Sequence, residues 1–163
     1  NAQSSPFADR IQVIAESIQE FTKQTAQTFD LIVSNPPFFS GGVISEQEGR
    51  ASVRHTIKLS HQDLLRSVQR LLKKEGSFCL VLPWLEGLRF QESAASYQLF
   101  THRVAKVRPS PEKSANRVLL ELKRTPAPHD GPVQEEMLIY DKAGENAKRS
   151  NDFQELTAAI YLS

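Results

Sequence analysis

The chain has 163 residues, 39% of them hydrophobic and 24% charged, enough for one domain with a real core and too few for two ordinary ones. Its 20 basic and 19 acidic residues leave a formal net charge of +1, so the overall field neither demands nor excludes a polyanionic partner. A single cysteine, Cys79, excludes an intramolecular disulfide framework and a multi-cysteine metal site, and no apolar run reaches the roughly eighteen residues of a membrane span; no metal, no membrane contact and a cytoplasmic location are expected.

The chain opens on Asn1 in place of methionine and meets strand-like residues almost at once, so a longer parent product is expected. Residues 10–14 (RIQVI) form a short β-rich run, and Ser17 with Glu20 three positions later suits a helix start. Residues 29–34 (FDLIVS) read as a second strand, halted by Asn35-Pro36-Pro37 because proline cannot donate to a sheet ladder and holds its predecessor extended. Residues 38–59 lose periodicity around Gly41-Gly42, a length that suits a lid or a binding loop. Ser60 then caps a helix with Leu64, Leu65, Val68, Leu71 and Leu72 on one face, ending at Lys73-Lys74 before Gly76.

Residues 77–82 (SFCLVL) are nearly all apolar, as in a central strand covered on both faces, with Cys79 as a small core residue. A weaker helical stretch over about 91–100 leads to strands at 103–108 (RVAKVR) and 117–122 (RVLLEL), separated by a polar turn. Residues 137–140 give one more short strand, and Asn151 opens an amphipathic helix with Phe153, Leu156 and Ile160 on one side. This order predicts an α/β layered domain whose largely parallel sheet finishes in an antiparallel portion. Ligands of such sheets sit at the carboxyl ends of strands, where Asn35-Pro36-Pro37-Phe38 falls.

That segment suits one chemistry. The exocyclic amine of adenine is a poor nucleophile because its lone pair is delocalised into the ring. Acceptors placed on its two N–H bonds favour the pyramidal, developing-cation geometry of methyl transfer. Two prolines hold the chain stiff and extended, so the Asn35 amide oxygen and the Pro36 carbonyl can be fixed together, and Phe38 offers a ring for a base to stack on. A sulfonium methyl is already activated, so no strong general base is required. The bare tripeptide also works as a plain strand terminator; the apolar run before it, the Phe38-Phe39 pair after it and the long glycine-bearing loop favour the chemical role.

The stretches FDLIVSNPPFF, Val53-Arg54-His55-Thr56, Asn116-Arg117-Val118-Leu119-Leu120 and the closing residues 153–162 together resemble the bacterial tRNA1(Val) adenine-N6 methyltransferases, which modify the adenosine beside the anticodon. The resemblance is collinear and covers essentially the whole chain. It implies a Rossmann-like fold that uses S-adenosylmethionine as cofactor and tRNA as partner, in a single catalytic domain over residues 1–163, expected to be a monomer. It implies that Asn35 and Pro36 bind the target amine, Pro37 stiffens the turn and Phe38 stacks on adenine, with Phe39, Arg54 and His55 on the substrate side. Many relatives carry tyrosine where Phe38 stands. It also points to Glu16 and Ser17 as cofactor contacts alongside Asn35, with Ser17 at the position of an aspartate in relatives and equally suited to capping a helix.

The glycine-rich turn after the first strand and the acid that holds the ribose hydroxyls are not among these residues. The chain is therefore expected to be the C-terminal part of the fold, lacking the N-terminal cofactor-binding strands. Lys106, Arg108, Lys113, Arg117, Lys123 and Arg124 give the later strands a basic bias that fits either RNA or a guarded sheet edge. Rival functions are methylation of a guanine amine in ribosomal RNA or of a release-factor glutamine, and a non-catalytic RNA-binding module.

Overall fold

In the computed structural model, which describes residues 4–36 and 59–158, two serine caps start the first helices. Ser17 Oγ accepts from the Glu20 backbone N–H at 3.2 Å and opens α1 (Ile18–Gln24). Ser60 Oγ accepts from the Asp63 N–H at 3.0 Å and opens α2 (His61–Leu71). Each hydroxyl satisfies a donor that the first helical turn would leave orphaned.

The strands are β1 (Phe29–Ser34), β2 (Leu72–Pro83), β3 (Phe100–Arg108), β4 (Arg117–Lys123) and β5 (Val133–Leu138), arranged β1-β2-β4-β3-β5. β1 runs parallel to β2 and β3 parallel to β5, while β4 is antiparallel to both neighbours, so four of the five strands point the same way. Helix α3 (Trp84–Ala94) follows β2, and α4 (Asn151–Thr157) packs against β5. The core lies between α2, α3 and one sheet face: Leu64, Leu65 and Val68 of α2 and Phe90 of α3 meet Phe78, Leu80, Leu82, Val118, Leu120 and Leu122. The alternation in β2 and β4 follows from the two-residue side-chain period of a strand.

Several expected boundaries move. Residues 10–14 form no strand; Ile11, Val13 and Ile14 are exposed, because β-rich residues gain nothing without a neighbouring ladder and no described strand pairs with them. Helix α2 ends at Leu71 rather than at the lysine pair, and Leu72 already belongs to β2. The polar Lys73-Lys74-Glu75 stretch sits at a register irregularity, with Phe29 opposite Leu72 but Leu31 opposite Ser77. Gly76 lies within this strand, at a position where a Cβ would stand 2.9 Å from the Asp30 carbonyl oxygen. Helix α3 begins at Trp84 and has ended before Phe100, which opens β3. β5 starts at Val133, earlier than expected, because its Gln134, Glu135 and Glu136 are the exposed polar residues typical of an edge strand. Helix α4 does open at Asn151, with Ser150 as its cap, and Ile160 lies outside the described residues.

The second face of β2 also departs from expectation. No described helix covers the centre of that face, where Leu31 is 57%, Val33 71% and Leu119 38% exposed. Cys79 is half-buried there rather than enclosed in the core.

Candidate active site

Strand directions decide which residues share an edge. β1 and β2 are parallel with Ser34 opposite Leu80, so Asn35 at the end of β1 lies beside the end of β2 at Pro83. Antiparallel β4 brings its first residue, Arg117, opposite Pro83 and Val107. The carboxyl edge therefore gathers Asn35, Trp84, Arg108 and Arg117.

Asn35 is exposed and Pro36, directly after it, is buried. The buried ring anchors the turn while the preceding amide stands in solvent, as a recognition group needs. Asn35 borders a depression of about 400 Å³ on the uncovered sheet face, with Val33, Cys79, Val81, Ala105 and Leu119 among its apolar walls. Pro37, Phe38, Phe39, Arg54 and His55 lie outside the described residues. Glu16 is exposed ahead of α1, Ser17 is spent on the α1 cap, and neither lines this depression.

The depression has a polar side made of Arg103, Glu121 and Glu135. Arg103 Nη2 donates to both Glu135 carboxylate oxygens, at 2.8 and 3.1 Å. Glu121 Oε1 accepts from Ser77 Oγ at 2.9 Å and pairs with Lys123 Nζ at 3.3 Å. Burial pushes the Glu121 carboxyl up, but the Ser77 hydroxyl and the Lys123 and Arg103 cations outweigh it and hold the group below its ordinary value. Burial raises the Cys79 thiol, helped by the Glu121 charge and opposed by Arg103 and Lys123. A partnered acid and a protonated thiol make a poor base and a poor nucleophile, so this wall orders the face rather than moving protons. Strand alternation could have revealed the trio, since Arg103 and Glu121 are out of phase with the core residues Val104, Leu120 and Leu122.

Among the described residues, no group of three or more His, Cys, Asp or Glu could hold a metal ion, and no helix is long and apolar enough to cross a membrane. The described glycines do not form a cofactor-cradling turn at the carboxyl end of a strand: Gly76 and Gly87 sit inside β2 and α3, and Gly131 and Gly144 in turns before and after β5.

The chain is 34% identical over 162 residues to the tRNA1(Val) (adenine(37)-N6)-methyltransferase of Dyadobacter fermentans, covering 99% of this chain and 66% of that protein. The proteins of that name from Pectobacterium carotovorum and Musicola paradisiaca are 36% and 38% identical, with 99% and 100% of this chain matched to 63% and 64% of theirs. The chain thus spans just under two thirds of the length of these curated relatives. Among solved structures it is similar to a predicted O-methyltransferase from Agrobacterium tumefaciens, with a TM-score of 0.64, 14% identity and coverage of 96% of this chain and 69% of that one. At that identity the likeness establishes the fold alone. No protein-family model matches the chain.

Proposed function

We propose that the chain belongs to the tRNA1(Val) (adenine-N6)-methyltransferase family, to whose members from three bacteria it is 34 to 38% identical, and that the whole protein methylates the N6 amine of adenine in tRNA, at the adenosine beside the anticodon of tRNA1(Val). The observation that carries this reading is the exposed Asn35 at the carboxyl end of β1, braced by buried Pro36. S-adenosylmethionine supplies an electrophilic methyl group. The chain's own part is to hold the amine: the Asn35 amide oxygen and the Pro36 carbonyl accept its N–H bonds, which turns the nitrogen lone pair toward the donor. Pro37 stiffens the turn and Phe38 stacks on the base. Phe39, Arg54 and His55 act on the RNA side, Arg54 and His55 through phosphates. Glu16 and Ser17 are the proposed cofactor contacts, with the Ser17 hydroxyl shared with its cap.

The uncovered sheet face supports a single catalytic domain completed by the third of the relatives' length that this chain does not match. That segment brings the glycine-rich turn and packs over Leu31, Val33 and Leu119. The enzyme works as a monomer in the cytoplasm.

Asn35→Ala in the whole protein tests the reading. N6-methyladenosine formation in bulk tRNA, read by nucleoside mass spectrometry, is lost, while calorimetric affinity for S-adenosylmethionine stays close to wild type. Undiminished turnover in the variant rejects the role.

A further inference from the structure

We propose that the carboxyl edge formed by Lys106, Lys113 and Arg117, beside Asn35, is the surface on which the RNA phosphodiester backbone docks, an inference that rests on the tRNA reading above. Topology divides the six cations of the later strands into two groups. Lys106, Arg108 and Arg117 fall at the Asn35 end, because Lys106 pairs with Val118 and Arg117 with Pro83 and Val107. Lys123 pairs with Ser77 and Phe100 at the opposite end. There the cations are engaged in structure: Lys123 binds Glu121 at 3.3 Å, and Arg124 donates to the Leu72 carbonyl at 3.2 Å.

The near-end group is arranged differently. Lys106 Nζ sits 5.5 Å from the centroid of the Trp84 ring. A ring face attracts an ammonium without fixing its three N–H donors in hydrogen bonds, so the charge is held in place and can still meet a phosphate. Arg108 serves the loop between β3 and β4. Its Nε donates to the Lys113 carbonyl at 2.8 Å, its Nη2 to the Pro111 carbonyl, and its Nη1 to Glu136 at 2.7 Å. Two backbone bonds complete the frame: Asn116 N–H to the Val107 carbonyl at 3.1 Å, and Trp84 N–H to the Asn116 carbonyl at 3.0 Å. A loop tied at both ends presents Lys113 and Arg117, both exposed, with little left to order on binding.

The acids of this segment do not cancel the charge of the two lysines. Glu136 is taken up by Arg108, which leaves Glu112 against Lys106 and Lys113. Phosphate contacts of this kind fix register on the backbone and carry no sequence information, which suits a neighbour to the base-reading turn rather than a substitute for it.

The test uses the whole protein with Lys106→Ala and Lys113→Ala combined, and measures tRNA affinity from about 50 to 200 mM salt. The slope of log affinity against log salt is expected to flatten by roughly 0.7 to 0.9 for each phosphate that is no longer neutralised, equally for cognate and unrelated tRNA, with affinity for S-adenosylmethionine unchanged. Lys106→Arg with Lys113→Arg restores the slope, which separates charge from folding. Lys74→Ala, exposed at the opposite end of β2, leaves it at wild type. An unaltered slope in the double alanine variant overturns the docking surface alone. A wild-type protein that binds no tRNA overturns both this surface and the tRNA reading.

Discussion

Glu121 shows how one side chain carries opposing effects. Half-buried on the uncovered face, it loses hydration, yet the Ser77 hydroxyl and the Lys123 and Arg103 cations more than offset that loss and its carboxyl stays low. A depressed carboxyl contributes stability that is present above its unfolded value of 4.5 and is lost as pH falls through the folded value. Ser77→Ala removes one of the lowering partners, so the Glu121 pKa rises, measurable by carbon-detected NMR titration. Glu121→Gln in turn flattens the acid limb of a stability-against-pH curve. A Glu121 titration that ignores Ser77→Ala shows the hydroxyl bond to be incidental. Asn35 is the contrasting residue, exposed at the end of β1, and its proposed role lies with a ligand rather than with the fold.

The elements stand or fall on caps and close approaches. Ser60 opens α2 with its hydroxyl on the Asp63 N–H and also donates to Asp63 Oδ2 at 2.8 Å. Ser60→Ala is expected to cost about 1 kcal/mol in urea denaturation, since it frees one first-turn donor. Gly87 matters for the opposite reason: a Cβ there would fall inside the radius of Val118 Cγ1, so α3 rests on β4 through a missing side chain. Gly87→Ala forces the helix away from the sheet and is expected to cost about 1 to 3 kcal/mol despite the better helix propensity of alanine. Val118→Ala added to it recovers part of that loss, and a double variant no better than the sum of the two singles argues against the close approach. The same seat explains why α3 begins earlier than its residues suggest. Pro83 and Gly87 look like chain breakers, whereas here proline precedes the first turn and glycine makes the seat. Helix α2 was readable because a cap and a strong apolar stripe agree. The start of β2 was not, because Lys73-Lys74-Glu75 imitates a polar helix end.

At the scale of the molecule, the site was legible only where it is local. Asn35-Pro36 announces itself within one turn, while Arg103, Glu121 and Glu135 meet across three strands whose order no single window contains. The uncovered face has the same cause: the run in β2 does predict two covered faces, and only one is covered by described residues. If the rest of the protein packs there, the two forms must answer one substitution differently. In the 163-residue chain alone, Leu119→Lys alters an exposed position and should stay within about 0.5 kcal/mol of wild type by chemical denaturation. In the whole protein the same lysine is enclosed without a partner, and a loss of about 2 kcal/mol or more is expected. Equal effects in both forms would mean that Leu119 faces water throughout, and that the unmatched third of the relatives packs elsewhere.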